Sequence, residues 1–180
     1  MKTLIISLVT FFSLNCCYSQ TFTLKSPDLG GQFTNEFVAG NFGCNGSNKS
    51  PALSWQNAPA GTKSYAVTMY DMDAPTGSGF WHWVVVDIPA NVQGLKQGAG
   101  DVKSGLAPTG CLQTINDVGQ AGYQGPCPGE GDQPHRYLIT VYALNTAKLG
   151  TTSASTAALS GFMLNKQAIA KASLIVYLKR

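Results

Sequence analysis

Two neighbouring stretches with strand patterns constrain the fold of this chain most strongly. Residues 64–71 alternate between two faces, and residues 82–88 are almost continuously apolar, as in a strand covered on both faces. Residues 136–144 alternate again, and residues 173–178 form a β-branched stretch close to the C-terminus. These four stretches predict a mainly β fold.

The other segments predict turns and one helix. Residues 91–131 are rich in Gly and Pro, and a loop region of that length indicates a functional role or its own cross-links. Residues 156–172 predict an amphipathic helix with one apolar face formed by Leu159, Phe162, Met163 and Ile169. Several strands followed by one late helix predict a β-sandwich with helical decoration. A chain of 180 residues without a linker fits one domain.

The N-terminus has the pattern of a secretory signal peptide. Lys2 supplies the positive start, residues 4–14 are mostly apolar, and small residues offer a cleavage site just before Gln20. The apolar stretch is too short to span a bilayer. A buried N-terminal helix is one alternative, and a lipoprotein signal at Cys16 is another.

Cleavage at this site defines the predicted domain organisation. We expect a signal peptide over residues 1–19 and one mature domain over residues 20–180. A chain processed in this way is periplasmic or secreted, and its mature part contains no integral membrane segment.

The charge pattern excludes several classes of function. Charged residues make up only 12% of the chain, and the net charge is +3. Lys and Arg are scattered, which argues against nucleic acid and against electrostatic binding to membranes. The chain has two histidines and no CxxC motif, so we expect neither a metal site nor a cofactor.

The cysteines predict one disulfide. Signal cleavage leaves Cys44, Cys111 and Cys127, and an oxidising compartment permits one bridge with one thiol left over. Cys111 and Cys127 flank one long Gly-rich loop, so we predict that these two are bonded and that Cys44 is free. Three free buried thiols are the alternative.

Titratable residues concentrate at three predicted strand ends. Asp71 continues the apolar face of its strand, His135 shares a face with Tyr137, and His82 is predicted on the face of Val84. Apolar rows that end in titratable groups build a pocket at the rim of a sheet. The alternative is that each histidine is a satisfied core or edge residue.

Four motifs follow one another in a recognisable order. They are residues 71–75 (DMDAP), 81–83 (WHW), 122–128 (GYQGPCP) and 134–137 (PHRY). Together they resemble the signature of the phosphatidylethanolamine-binding proteins, also called Raf kinase inhibitor proteins. Residues 44–55 (CNGSNKSPALSW) resemble the lead-in segment of the bacterial YbhB/YbcL branch. The resemblance covers nearly all of the mature chain.

This resemblance implies a two-sheet β-sandwich with a late amphipathic helix, a C-terminal strand and a rim pocket for phosphate-like anions. Suitable ligands are phosphorylethanolamine-type head groups or other phosphorylated molecules. The ligand-binding residues that it implies are Asp71, His82 and His135, with Tyr123, Gly125 and Pro126 shaping the wall.

The same motifs contain supporting residues. Asp73 and Arg136 are predicted to form an ion pair beneath the pocket, with two independent surface charges as the alternative. Pro75 is predicted to follow a cis peptide bond. Trp81 is a candidate for the pocket wall, and Tyr137 supports the site from the His135 strand.

Binding is favoured over catalysis. Asp71 and the two histidines are suitable as general acid and base, but the chain has no GxSxG motif for a serine nucleophile. We therefore predict a secreted binding protein that is not an enzyme. The alternatives are a protein-interaction or inhibitor module acting on an extracytoplasmic partner and, less favoured, a weak hydrolase.

Overall fold

The computed structural model describes residues 20–180, so the predicted signal peptide lies outside the described residues. Eight strands and one helix occur in this range. In chain order they are β1 (Thr23–Lys25), β2 (Leu53–Gln56), β3 (Ser64–Asp71), β4 (Phe80–Pro89), β5 (Gly94–Leu95), β6 (Leu112–Gln113), β7 (His135–Leu144), α1 (Ala157–Gln167) and β8 (Ala168–Leu178).

The strands form two antiparallel sheets. The smaller sheet has the order β1-β2-β5, and the larger one has the order β6-β4-β3-β7-β8. This confirms the predicted mainly β fold with two sheets, a late helix and a C-terminal strand. The last strand begins earlier than residue 173, because Ala168 already pairs with Leu144 of β7. Within the described range, no helix is long and apolar enough to cross a membrane.

Two hydrophobic clusters hold the layers together. The larger cluster joins the sheets and includes Trp55 of β2, Val67 of β3 and Trp83 of β4. The smaller cluster lies on the other face of the large sheet and includes Val84 and Leu164. Because strand residues alternate between faces, β3 contributes to both clusters. The large sheet is therefore covered on both sides over much of its area.

The helix buries a different face from the predicted one. Leu159 and Phe162 are 49% and 55% exposed and Ile169 belongs to β8, so the predicted apolar face was wrong for these three residues; Met163 does pack against the smaller cluster. Small residues face the sheet because the helix packs closely: a Cβ on Gly161 would lie 3.3 Å from the Trp81 ring. The buried helix residues are Ala157, Ser160, Gly161 and Leu164.

A β-bulge reverses the predicted orientation of His82. Met69 pairs with Trp83 and Tyr70 pairs with Trp81, which leaves His82 as the extra residue of β4. An extra residue interrupts the alternation of faces and re-aims its side chain. His82 therefore packs against Tyr137 on the side of the inter-sheet core, with ring centroids 5.3 Å apart. The prediction that it shares a face with Val84 was wrong, since Val84 faces the helix.

Candidate functional site

A cavity of about 310 Å³ opens where β3, β4 and β7 meet the loops that follow or precede them. The bulge in β4 directs His82 into its wall, while Asp71 and His135 reach it by regular strand alternation. The wall residues are Phe42, Asp71, Ala74, Pro75, Thr76, Phe80, His82, Gln124, Gly125, Cys127, Pro128, Gly129, Asp132, His135 and Tyr137.

Asp71 orients His135. Its Oδ2 lies 2.7 Å from His135 Nδ1, and both side chains are buried. Since a carboxylate only accepts, Nδ1–H is the donor and Nε2 is available to a bound molecule. Asp132 Oδ2 lies 3.6 Å from Nε2, so a protonated ring has a carboxylate on each side. In the described part of the chain, no three His, Cys, Asp or Glu side chains are placed to hold a metal ion.

His82 is a buried and mostly neutral histidine. Its Nδ1 lies 2.8 Å from the carbonyl oxygen of Gln124, which can only accept, so Nδ1 carries the proton. Burial lowers the pKa of His82 to about 4. The neutral ring leaves a lone pair on Nε2. A hydrogen bond from Nε2 to an anion therefore requires that the ring takes up a second proton.

Tyr137 is a polar wall residue whose hydroxyl lies near the Asp71 carboxylate. The side chain is fully buried, and its hydroxyl makes no hydrogen bond of good geometry to another described residue. Burial, and to a lesser degree the carboxylate of Asp71, raise the pKa of Tyr137 above its usual value. The phenol therefore keeps its proton and can donate it to a ligand in the cavity.

Comparison with known proteins identifies the family. Residues 25–179 match the family model of the phosphatidylethanolamine-binding protein. The chain belongs to the phosphatidylethanolamine-binding protein (PEBP) family. The UPF0098 protein YbcL of Escherichia coli K12 is 48% identical, over 97% of this chain and 96% of YbcL. The UPF0098 protein YbhB of the same organism is 45% identical, over 84% of this chain and 96% of YbhB.

The PEBP fold is confirmed by a solved relative. The crystal structure of E. coli YbcL matches this structure with a TM-score of 0.86 and 48% identity. The match covers 88% of this chain and 98% of the YbcL chain. This agrees with the resemblance to the YbhB/YbcL branch that the sequence motifs indicate.

Several residues that the PEBP motifs predict for the site do lie in the cavity wall. Asp71, His82 and His135 meet there, and Gly125 and Pro75 form part of the same wall. The peptide bond before Pro75 is trans, so the predicted cis bond was wrong. Trans is the default of X–Pro bonds, and nothing in this turn overrides it.

Tyr123 and Pro126 have structural positions and do not line the cavity. The Tyr123 hydroxyl donates to the Phe37 carbonyl at 2.8 Å, and its ring packs edge-on against Trp83 in the inter-sheet core. The Pro126 carbonyl accepts from the Ala39 amide at 3.1 Å. Both residues join the Gly-rich loop to the segment around residues 37–39.

Trp81 lies on the opposite face of the large sheet. Its ring packs against Tyr70 at a centroid distance of 4.7 Å and lies beneath the helix. The prediction of Trp81 as pocket wall was therefore wrong: adjacent strand residues face opposite sides, and the bulge that turns His82 toward the cavity leaves Trp81 on the helix side. Phe80 occupies the position in the wall instead, with its ring 4.9 Å from that of His82.

Asp73 and Arg136 form the predicted ion pair. Arg136 donates from two side-chain nitrogens, Nη2 and Nε, to the two Asp73 oxygens at 2.6 and 2.9 Å. This pairing lowers the pKa of Asp73 to about 2. The pair lies beside the cavity at the surface and not beneath it, since half of the Arg136 side chain is exposed. The alternative of two independent charges is excluded.

The disulfide joins a different pair of cysteines. Cys44 and Cys127 are bonded, with Cα atoms 6.0 Å apart, and Cys111 is a free, half-buried thiol. The predicted Cys111–Cys127 bridge was therefore wrong. The tertiary fold brings the loop of Cys44 against the Gly-rich loop, although 83 residues separate the two bonded cysteines.

Besides Phe80, sequence reasoning missed three wall residues that carry chemistry or shape. Asp132 lies three positions before His135, so its nearness to the PHRY motif was a usable signal. Gln124 lies inside the GYQGPCP motif and supplies the carbonyl that binds His82. Phe42 lies two residues before the motif of residues 44–55, but no pattern in the sequence links that segment to the strand ends, and Phe42 reaches the cavity through the fold.

Proposed function

We propose that this PEBP-family protein binds a small phosphate-like anion in the cavity between the ends of β3, β4 and β7. The observation that carries the proposal is the meeting of His82, the Asp71-oriented His135 and the Tyr137 hydroxyl in the wall of one cavity. The Tyr137 hydroxyl makes no hydrogen bond of good geometry within the described chain, so a ligand oxygen would supply one. The Nε2 atoms of His82 and His135 belong to rings in the same wall, and both can donate when protonated.

Binding of the anion is expected to depend on pH through His82. Without a ligand its pKa is lowered to about 4, first because of burial. An anion beside Nε2 favours the charged ring and raises this pKa. Between pH 4 and the raised pKa of the complex, binding of the anion is then accompanied by uptake of a proton. The affinity therefore falls across this interval by up to about tenfold for each pH unit, and it levels off above the pKa of the complex.

Calorimetric titration from pH 5 to pH 8 at fixed ionic strength tests the proposal. Sulfate is the first probe because it stays a dianion throughout this range, and O-phosphorylethanolamine is the second. We expect sulfate affinity to fall with rising pH and His82→Gln to remove most of this dependence. A sulfate affinity that is flat across the range, or equally pH-dependent in His82→Gln, would contradict the mechanism.

We propose binding and not hydrolysis. Asp71 and His135 resemble the base and its orienting group in nucleophilic catalysis. However, a reactive nucleophile is not available beside them in the described wall. Thr76 donates its hydroxyl to the Gly79 carbonyl, and the Cys127 sulfur is bonded to Cys44. The Asp71–His135 pair is therefore better suited to hold one tautomer and its charge than to activate an attacking group.

We also propose an extracytoplasmic location. A disulfide that joins two distant loops is typical of proteins in oxidising compartments. The signal-peptide pattern over residues 1–19 supports the same location. Lipidation at Cys16, which would anchor the chain to a membrane, is the alternative to release by signal cleavage. In such a compartment the ligand is a phosphorylated small molecule or head group, and the sparse scattered charge does not favour nucleic acid.

A further inference from the structure

We infer that the cavity selects phosphate monoesters that carry an aryl group, and that Phe42 is the residue that determines this specificity. The inference rests on the proposed function, since it assumes that the phosphate is bound beside His82 and Tyr137. It adds the chemical nature of the group that is attached to the phosphate. Three features of the cavity rim support it.

The first feature is the conformation of Phe42. Its side chain is 65% exposed, although it forms part of the cavity wall. Its φ of 55° lies in the left-handed region, which bulky residues rarely adopt. Such a conformation persists only where the surrounding structure holds it, and residues of this kind cluster at ligand clamps.

The second feature is the rigid attachment of the loop that carries Phe42. On one side, the Asn41 side chain accepts a hydrogen bond from Gln124 Nε2 at 2.8 Å. On the other side, the Gly43 carbonyl accepts from Arg180 Nη2 at 2.8 Å, and Cys44 is covalently bonded to Cys127. Because Gln124 and Cys127 are themselves wall residues, the loop holds Phe42 in a fixed place relative to the cavity.

The third feature is the mixed chemistry of the cavity wall. The polar groups are those of Asp71, His82, Asp132, His135 and Tyr137. The apolar surface comes from Phe42, Ala74, Pro75, Phe80 and Pro128. A bare phosphate is held by the polar groups. A phosphate whose ester oxygen carries a flat apolar ring can also contact the apolar side chains, because aromatic rings pack favourably against aromatic and proline side chains.

Comparison with another exposed phenylalanine supports a specific role for Phe42. Phe162 is 55% exposed on the helix, and the ammonium group of Lys166 lies 4.4 Å from the centre of its ring. Its ring face thus has a partner within the chain. Phe42 has no aromatic or cationic partner among the residues that the structure describes, and its ring is available to a ligand.

Calorimetry with three phosphate monoesters tests the inference. Methyl phosphate, n-butyl phosphate and phenyl phosphate present the same anionic group with different substituents. We expect phenyl phosphate to bind about tenfold more tightly than methyl phosphate. Phe42→Ala is expected to remove most of this preference, with a much larger loss for phenyl phosphate than for methyl phosphate. Phe42→Tyr is expected to keep the preference, and Phe162→Ala is the matched control that should change neither ligand.

The possible outcomes distinguish this inference from the proposed function. Equal binding of phenyl and methyl phosphate, or a preference that survives in Phe42→Ala, overturns the inference alone. A gain for n-butyl phosphate as large as that for phenyl phosphate overturns the assignment of an aryl group. Absence of binding by all three monoesters and by inorganic phosphate overturns the proposed function and the inference together.

Discussion

At the scale of single residues, substitutions of two buried tyrosines are expected to affect stability and ligand binding separately. The Tyr123 hydroxyl donates to the Phe37 carbonyl at 2.8 Å, whereas the Tyr137 hydroxyl makes no hydrogen bond of good geometry in the described chain. Tyr123→Phe is therefore expected to lower the free energy of unfolding by about 1 kcal/mol. Tyr137→Phe is expected to leave that free energy unchanged or to raise it, and to weaken sulfate binding several-fold. Urea unfolding and calorimetry measure the two effects.

Each of these tyrosine variants serves as the control for the other. Tyr123→Phe should bind sulfate like the parent protein, since Tyr123 lies in the core and not in the cavity wall. If Tyr137→Phe destabilised the protein more than Tyr123→Phe and left sulfate binding intact, the Tyr137 hydroxyl would have a structural role only.

At the scale of elements, the Gly-rich loop packs closely at Gly125 against the backbone of residues 37–39. A Cβ on Gly125 would lie 2.5 Å from both the Ala39 nitrogen and the Phe37 oxygen. Gly125→Ala is therefore expected to shift the loop and to lower the free energy of unfolding by about 1–3 kcal/mol. The same shift moves the Gln124 carbonyl that binds His82, so sulfate binding should weaken as well. Urea unfolding and calorimetry again report both changes.

Gly30→Ala is the matched control for this loop variant. A Cβ at Gly30 meets no atom within 4 Å. We expect its effect on the free energy of unfolding to stay within about 0.5 kcal/mol, with unchanged sulfate binding. Similar effects of the two alanine variants would show that the close approach at Gly125 does not restrict the loop.

At the scale of the whole molecule, the Cys44–Cys127 disulfide connects loops that are 83 residues apart in sequence. A cross-link over such a distance restricts the unfolded chain strongly. The double variant Cys44→Ser, Cys127→Ser is therefore expected to lose about 4.5 kcal/mol of unfolding free energy in the chain-entropy model. Denaturant unfolding of the oxidised protein measures this loss. Cys111→Ser is the control and should cost much less, since Cys111 is a free thiol.

Peptide mapping under non-reducing conditions checks the same point directly. A cross-linked peptide that contains Cys44 and Cys127 is expected. A cross-linked peptide that contains Cys111, or equal destabilisation by Cys111→Ser and the double variant, would contradict this pairing.

The sequence alone determined the features that depend on short-range order. A strand places every second residue on one face, so the pattern of β3 and β7 correctly placed Asp71 and His135 beside one cavity. The order of four motifs identified the PEBP family and its two-sheet fold. The Asp73–Arg136 pair also followed from these motifs, although its surface position did not.

Only the tertiary structure decided the features that depend on distant segments or on one extra residue. The orientation of His82 follows from a bulge, which is visible only in the pairing of β3 with β4. The buried face of α1 follows from its close packing against Trp81, which selects small residues over large apolar ones. The disulfide and the position of Phe42 follow from contact between two loops, because spatial neighbours that are far apart in sequence leave no local pattern.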